Sequence, residues 1–531
     1  MVHRPEVIGV VGAGTMGAGI AQLACLSGAR TLLHDPIPEA LERGQQSIRA
    51  QLRRGVERGR WDERQAEAAD ASLQAAASLE ELSPCGLIIE AAPERLEVKQ
   101  SLFGRLSEEV VGEDCVLASN TSSLLVTAIA AAARHPERVV GMHFFNPAPV
   151  MRLLEVVAGE QSGDTALAIA RAAGEAMGKH VIDAADGPGF LVNRCNRPFG
   201  LEALRLVQER AAPLAEIDRI CRLGGGFRMG PFEVMDLVGV DVGLDVSRSF
   251  YEQSFGEPRW RPSPIAVRTV AAGRLGRKSG RGYYDYGGGP GTHRPADPKP
   301  PAAGGGDGLI VIAGEWALAL ELEELAAAAG WEVATPLEAA GQVPYLILDL
   351  ADGEPAEAPL QGAPQAICCA AGSLGALDPG GSAVGFNALA PLQESRLVEL
   401  TRGPDTPASA AEAAARFFET IGKHTAWVAD SPGLVLWRIV CQVINEAAFA
   451  LGEGVGSAED IDAGMVHGLN YPRGILGWAD TIGLDRVLML LDALYEERRE
   501  ERYRPAPVLT KLVWSGRFGQ QTGEGFFRYD G

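Results

Sequence analysis

The sequence predicts an α/β domain on a mostly parallel sheet followed by an all-α domain, with a degenerate tandem copy of both behind it. Three observations predict this. Residues 6 to 35 read strand, glycine turn, helix, strand, "EVIGVVGAGTMGAGIAQLACLSGARTLLHD". Two later runs, "CGLIIEAA" and "DCVLASN", are apolar without alternation, as strands covered on both faces are. Segments beginning at residues 186, 235 and 276 recur at 430, 479 and 519, displacements of 244, 244 and 243.

At 531 residues the chain is too long for one core, so several domains are expected. The first α/β segment covers residues 1–185, with long helical patterns between its strands. A helical segment, 186–286, opens on "DGPGFLVNRCNRPFGLEALRLVQE" and closes on "GRKSGRGYYDY". Residues 287–308, "GGGPGTHRPADPKPPAAGGGDG", are rich in Gly and Pro and read as a linker rather than packed structure. The second α/β segment, 309–429, keeps "LIVIAGEWALALELEELAAAAGWEV", "PYLILDL" and "QAICCAAGS" as echoes of the first, and 430–531 repeats the helical segment.

Composition narrows the function. Lys+Arg 48 against Asp+Glu 69 gives a net charge of −21, which argues against a nucleic-acid or anionic-membrane partner. The eight cysteines show no CxxC pair and no His-interleaved spacing, so neither zinc nor a disulfide framework is expected and no metal site is assigned. Reduced thiols, an apolar strand within the first residues and no apolar run long enough to span a bilayer point to a cytoplasmic protein.

The turn Gly12, Ala13, Gly14, Thr15, Met16, Gly17 follows a strand and opens a helix, with Asp35 ending the next strand, 21 residues after Gly14. Such glycines let a pyrophosphate approach a helix N-terminus, and the acid can bond a ribose hydroxyl. A carboxylate repels a 2′-phosphate, so NAD is favoured over NADP. A turn needed only for strand–helix packing explains Gly17 but not the whole set.

In "GMHFFNPAPVMRLLEVV" one histidine, His143, sits beside two aromatics, and Glu155 lies twelve positions on. A histidine in an apolar run is commonly a packed core residue. Oxidation of an alcohol by NAD⁺, however, needs a base whose pKa lies near working pH, and that base needs an orienting partner. Glu155 either fills that place or is a strand-edge carboxylate facing solvent.

"GAGTMGAGIA", "SNTSS", "HFFNPAPVMRLLEVV", "DGPGFLVNR" and "GRKSGRGYYDY" occur in the order and near the spacing found in the NAD-dependent L-3-hydroxyacyl-CoA dehydrogenase family. The chain resembles that family over residues 1 to 286. Its duplicated layout looks like the long bacterial 3-hydroxyadipyl-CoA and 3-hydroxybutyryl-CoA dehydrogenases of phenylacetate catabolism. The resemblance implies a Rossmann domain plus an all-α C-terminal dehydrogenase domain. It also implies His143 as catalytic base, Glu155 as its dyad partner, and Ser122 and Asn193 completing the site, with Ser122 meeting both substrate and nicotinamide. Glu94, Lys99 and Asn146 would line the cofactor site and Lys278 would approach from the helical domain. By analogy Ser47 and Arg54 would contact CoA. Arg49, Arg53, Arg54, Arg58 and Arg60 form a cationic run that either receives CoA phosphates or is a solvated helix face. Ser122 as a capping hydroxyl and Asn193 as a helix-start side chain are the bland alternatives.

Arg197 follows Asn193 by four residues, so on a helix the two share a face. Arg197 either receives the distal carboxylate of a dicarboxylyl-CoA or pairs with an acid of the protein such as Glu202. Rival readings are a 3-hydroxybutyryl-CoA or general fatty-acid dehydrogenase, or a non-catalytic NAD-binding protein.

The second copy carries "IAGEWAL" in place of the glycine turn, no acid aligned with Asp35, Gly372 or Ser373 opposite Ser122, Trp437 opposite Asn193, and Glu399 with no histidine. It is expected to be structural. In short family members two helical domains pack across a homodimer. The repeat implies either a homodimer or a monomer with an internal pseudo-dimer of helical domains.

Overall fold

The computed structural model describes residues 4–289, 291–351 and 362–529, so Met1 to His3 of the opening stretch and Pro290 of the linker fall outside the description. The chain forms two compact units, Met1–Arg194 with Glu453–Leu469, and Cys195–Gly452 with Asn470–Gly531. These units do not follow the tandem segments read from the repeat, because one helix of the second copy packs into the first unit.

The first unit holds an eight-stranded sheet: β1 (Val7–Val11), β2 (Arg30–His34), β3 (Leu73–Ala76), β4 (Leu87–Glu90), β5 (Val116–Ser119), β6 (Val139–Phe144), β7 (Leu153–Ala158) and β8 (His180–Ala185). Their order is β3-β2-β1-β4-β5-β6-β7-β8. The first six run parallel; β7 is antiparallel to β6, and β8 is parallel to β7. The unalternating runs of β4, β5 and β6 are buried throughout, as their composition required. Helices α1 (Thr15–Leu26), α2 (Pro38–Glu57), α3 (Glu63–Ser72), α4 (Leu96–Arg105), α5 (Val126–Ala130), α6 (Asp164–Ala176) and α7 (Val192–Cys195) connect and cover the strands. Strand order reverses between β1 and β4, and the crevice at their carboxyl ends is where such sheets bind ligands. The helix Ala458–Leu469 of the second copy packs on β7 and β8, and Ala185 N–H donates to Val455 C=O at 2.8 Å.

The second unit holds a seven-stranded sheet: β9 (Leu309–Ala313), β10 (Glu332–Ala334), β11 (Leu346–Asp349), β12 (Gln365–Cys368), β13 (Val384–Asn387), β14 (Leu397–Arg402) and β15 (His424–Trp427). The order β10-β9-β11-β12-β13-β14-β15 repeats the first pattern without a counterpart of β3. The stretch from β10 to β11 carries no helix, so α2 and α3 have no counterpart either. Helices α8 (Arg197–Gln208), α9 (Leu214–Gly225), α10 (Pro231–Val238), α11 (Val240–Gln253) and α12 (Pro264–Ala271) belong here. In reciprocal fashion α9 packs on β14, and Arg396 N–H donates to Leu223 C=O at 2.8 Å. Each copy therefore lends the equivalent helix to the other copy's sheet, since 214 + 244 = 458.

Within the second unit α8 lies against the helix Leu436–Gly452 around the fully buried Arg438, which donates to Glu202 at 2.5 Å, to both carboxylate oxygens of Glu209, and to Tyr503 Oη at 2.7 Å. The linker is more ordered than its composition suggests. Arg222 bridges Glu233 and Asp297 at 2.9 and 2.8 Å, while His293 and Arg294 close on Glu233 at 2.8 and 2.7 Å. Charge pairing, invisible in a Gly/Pro count, straps the segment down. No helix among the described residues is long and apolar enough to cross a membrane.

Candidate active site

The glycine turn closes β1 and starts α1, beside the end of β4. Gly12 has φ +100°, and a Cβ there would fall 2.5 Å from Ala91 O; a Cβ on Gly17 would fall 1.7 Å from Gly12 O. Those two glycines are demanded by the fold itself. Gly14 differs: it is the N-cap of α1 with ordinary φ −68°, and no protein atom lies within 4 Å of where its Cβ would stand. Packing does not require glycine there, and the space beside the first N–H groups of α1, from Thr15 and Met16 onward, stays open. Asp35 accepts from Ala13 N–H at 2.8 Å and Ile37 N–H at 2.9 Å, holding its carboxylate beside the turn where a ribose would lie.

His143 on β6 pairs across the antiparallel ladder with Glu155 on β7. A pair directly opposed in this way puts both side chains on one face of the sheet. Glu155 is fully buried, and its Oε2 lies 2.5 Å from His143 Nδ1. Its Oε1 accepts from Leu191 N–H at 3.2 Å and Val192 N–H at 2.9 Å, the opening of α7. Only a hydrogen on Nδ1 can bond a carboxylate, so the tautomer leaves the Nε2 lone pair free. Phe145 and Phe190 pack on the imidazole with ring centroids 4.6 and 5.7 Å away. Histidine packing and histidine chemistry are therefore not exclusive here: His143 is 6% exposed and still holds a polar partner. The solvent-facing reading of Glu155 is overturned by its burial.

Ser122 is exposed at the end of β5, with its N–H donated to Glu94 Oε1 at 2.9 Å. The capping hydroxyl of this loop is supplied by Thr121, which accepts from Leu124 N–H at 3.0 Å, so Ser122 Oγ is not needed for the turn. Glu94 also receives Thr121 Oγ1 at 2.6 Å and Ser123 N–H at 3.1 Å. Burial alone would raise Glu94, but the Lys99 ammonium and these hydrogen bonds outweigh it and hold its carboxyl below the usual range. Lys99 itself is buried, with Nζ 2.7 Å from Glu90 and 3.2 Å from Glu94. It faces those carboxylates rather than an open surface. Glu90, fully buried at the end of β4, also receives Ser119 Oγ and Ala92 N–H, each at 2.6 Å. Sequence reasoning missed it, although an acid closing the apolar run "CGLIIE" was a visible signal. Asn120 was missed as well; its Oδ1 accepts from Phe144 N–H at 2.8 Å, tying β5's end to the residue after His143.

Asn193 lies half-buried in α7, one residue beyond the N–H groups that Glu155 caps, and Asn146 is exposed just after β6. Ser47 and Arg54 are exposed on α2, seven residues apart and so on one face. Of the cationic run, Arg49 is paired with Asp70 at 2.8 Å, while Arg53, Arg54, Arg58 and Arg60 are exposed without an ion pair among the described residues. Lys278 and Arg197 belong to the second unit. Lys278 engages Asp241 at 2.7 Å. Arg197 does not pair with Glu202, whose carboxylate is taken by Arg438 and Tyr503.

In the second copy β9 pairs β10 with Leu309 opposite Glu332, as β1 pairs β2 with Val7 opposite Arg30, a shift of 302. That shift puts Trp316 at the place of Gly14 and Leu337 at the place of Asp35. Trp316 caps its helix and is buried, with its indole N–H donated to Leu350 C=O at 3.1 Å. Glu399 is buried and caps the helix ahead with Val435 N–H at 2.8 Å, but the residue paired with it across the ladder is Asn387. Burial, only partly offset by the Val435 and Leu436 amides, pushes Glu399 up to about 8.

Comparison with known proteins agrees with this geometry. A family model described as "3-hydroxyacyl-CoA dehydrogenase, NAD binding domain" matches residues 7–187. A second, "3-hydroxyacyl-CoA dehydrogenase, C-terminal domain", matches residues 189–286 and again 433–529. The chain is 36% identical over 97% of its length to a 3-hydroxyadipyl-CoA dehydrogenase of Escherichia coli K12, covering 99% of that protein. Over 52% of its length it is 39% identical to a 3-hydroxybutyryl-CoA dehydrogenase of Mycobacterium tuberculosis, covering 98% of it. A crystal structure of an E. coli K12 3-hydroxybutyryl-CoA dehydrogenase superposes with TM-score 0.81 at 35% identity, covering 96% of this chain and 99% of that one. Likeness that runs the full length of a relative and includes both copies of the helical domain places the chain in the NAD-dependent 3-hydroxyacyl-CoA dehydrogenase family.

Proposed function

We propose that the first copy oxidises an L-3-hydroxyacyl-CoA to the 3-oxoacyl-CoA, with His143 as base, and that the second copy serves as structure. Bound NAD⁺ supplies the hydride acceptor. His143 Nε2 takes the hydroxyl proton, and Glu155, fixed by Nδ1 and by the α7 amides, stabilises the imidazolium that forms. Ser122 and Asn193 hold the substrate oxygen, each with a side chain that has no hydrogen-bond partner among the described residues. Gly14, Asp35, Glu94 and Asn146 serve the cofactor, with Lys99 positioning Glu94. Ser47 and Arg54 on α2 serve the CoA moiety, which the four unpaired arginines of this acidic protein suit.

The observation that carries the reading is the buried His143–Glu155 pair, which frees Nε2 for a proton. The name of the E. coli relative makes 3-hydroxyadipyl-CoA the first substrate to try. Wild-type protein and His143→Gln are compared by NADH absorbance on 3-hydroxyadipyl-, 3-hydroxybutyryl- and 3-hydroxyhexanoyl-CoA. The variant should lose roughly 10²- to 10⁴-fold in kcat, the worth of a positioned base. Near-wild-type turnover would remove His143 from that role.

The second copy is degenerate on this reading: Trp316 fills the turn, Leu337 offers no carboxylate, Asn387 replaces the base, and nothing corresponds to α2 and α3. Its reciprocal helix exchange and the Arg438 network support its use as an internal substitute for a dimer partner.

A further inference from the structure

We propose that the helix Ala458–Leu469, contributed by the second copy to the first unit, is part of the active-site scaffold, and that Gly464 and Gly468 on it are positioning residues for the His143–Glu155 dyad. The proposal deepens the dehydrogenase reading and rests on it for the reaction to be measured. The helix meets the groups that fix the dyad. Glu155 takes the N–H groups of Leu191 and Val192 at the start of α7, and Phe145 stacks on the imidazole of His143. Gly464 and Gly468 stand four apart, on one buried helical face. A Cβ on Gly464 would fall 2.6 Å from Val192 Cγ2 and 3.1 Å from Ile182 Cδ1. One on Gly468 would fall 2.6 Å from Leu153 Cδ2 and 3.5 Å from both Phe145 Cε1 and Val192 Cγ1. Gly456, just ahead of the helix, approaches Leu191 in the same way, at 2.6 Å. Two polar ties hold the segment in place: Val455 C=O accepts from Ala185 N–H at 2.8 Å, and Glu453 pairs at 2.7 Å with Arg194, the residue after Asn193.

Glycine weakens a helix interior relative to alanine, so two of them on the buried face mark close approach as the gain. The residues they meet leave little slack. Leu153, Ile182 and Val192 are each no more than 1% exposed, and Val192 is β-branched, with one strongly preferred χ1 on a helix. Ordinary contact begins near 3.4 Å, so a methyl added at 464 must move Val192 as a unit, its N–H included, or push the helix away. That N–H carries the displacement to Glu155, and Glu155 Oε2 carries it to Nδ1 of His143. Misplacing a catalytic group by roughly 1 Å can cost on the order of 10²-fold in rate. The second copy holds a matched site without the base. There Gly224, at the place of Gly468, would bring a Cβ 3.0 Å from Leu436 Cδ2, and Leu436 N–H donates to Glu399. Across the ladder from Glu399 stands Asn387. The same packing device occurs twice, and only the copy with His143 couples it to a proton acceptor.

Gly464→Ala, Gly468→Ala and the control Gly224→Ala are compared with wild type by thermal melt, by NAD⁺ calorimetry and by NADH formation from saturating 3-hydroxyacyl-CoAs. Gly464→Ala should lose at least about fivefold in kcat while NAD⁺ affinity stays within about twofold of wild type. Gly468→Ala should lose less, because the end of Leu153 can turn aside, and Gly224→Ala should keep the wild-type kcat. Removing the obstructing methyls, in Gly464→Ala combined with Val192→Ala, should restore most of kcat, since the amide of residue 192 remains. With isotope-labelled histidine, the Nδ1–H resonance of His143 should shift or weaken in Gly464→Ala and stay in place in Gly224→Ala, a contrast that a general loss of stability would not produce. If Gly464→Ala does not fold, Gly468→Ala carries the test by the same criteria. A folded Gly464→Ala with unchanged kcat overturns the proposal, as does an equal loss in Gly224→Ala or a His143 resonance that does not move. A moved resonance in a protein whose wild type forms no NADH from any of these substrates supports the positioning role and counts against the dehydrogenase reading instead.

Discussion

Glu155→Gln tests the dyad with least change in shape. The carboxylate accepts from three donors, His143 Nδ1 at 2.5 Å, Leu191 N–H at 3.2 Å and Val192 N–H at 2.9 Å. A glutamine offers one oxygen and an NH₂, so one of those donors must meet another donor. If the NH₂ faces the imidazole, the ring takes the opposite tautomer and its proton moves to Nε2, where the base is needed. If it faces the α7 amides, the buried bonds from Leu191 and Val192 N–H at the helix entry are both lost, each costing about 1–3 kcal/mol of stability. In both cases the negative charge that stabilises the imidazolium is gone. Two unit charges about 4 Å apart at an effective dielectric near 20 interact by about 4 kcal/mol, and each ~1.4 kcal/mol is tenfold. The expected loss in kcat is roughly 10³-fold, read from NADH formation at saturating substrate and NAD⁺. A kcat within about threefold of wild type would show that Nδ1 needs no carboxylate and would refute the argument. Glu399→Gln, the same substitution in the second copy, is the control and should leave kcat alone.

Gly14→Val should leave the melting temperature close to wild type while weakening NAD⁺ at least about tenfold, because its side chain meets no protein atom and only the ligand's path. NAD⁺ binding unaffected by Gly14→Val would move the dinucleotide elsewhere. Calorimetry on wild type should also give one NAD⁺ per chain, since Trp316 fills the second turn; two sites would reverse the structural reading of the second copy. Glu399, raised from the ordinary 4.5 to about 8, keeps in the fold a proton that the unfolded chain releases. The stability this provides is whole below the unfolded value and is lost as pH climbs towards 8, on the order of a few kcal/mol. Melting temperature should therefore fall less steeply from about pH 6 to about pH 8.5 in Glu399→Gln than in wild type, and parallel curves would contradict the linkage.

The strand–turn–helix–strand opening and the continuous strands β4 and β5 were legible because periodicity and glycine spacing are local. His143 and Glu155 were legible as residues, and the antiparallel turn between β6 and β7 that opposes them follows from their twelve-residue separation only once the register is known. The ties on the linker were not legible, because the ion pairs that hold His293, Arg294 and Asp297 join residues 60 to 75 positions apart. Glu202 misled for the same reason: its partner Arg438 lies 236 positions away.

Sequence alone determined that two copies of one architecture share the chain, and that only one keeps the glycines, the acid after the second strand and the histidine. Those are matters of residue identity at fixed spacing. Tertiary structure decided which glycines the packing itself demands, that each copy lends a helix to the other's sheet, and that Arg197 forms no ion pair among the described residues. Each of these depends on what lies across space from a side chain, and burial makes an unmet charge or a clashing Cβ costly in a way that no one-dimensional pattern records.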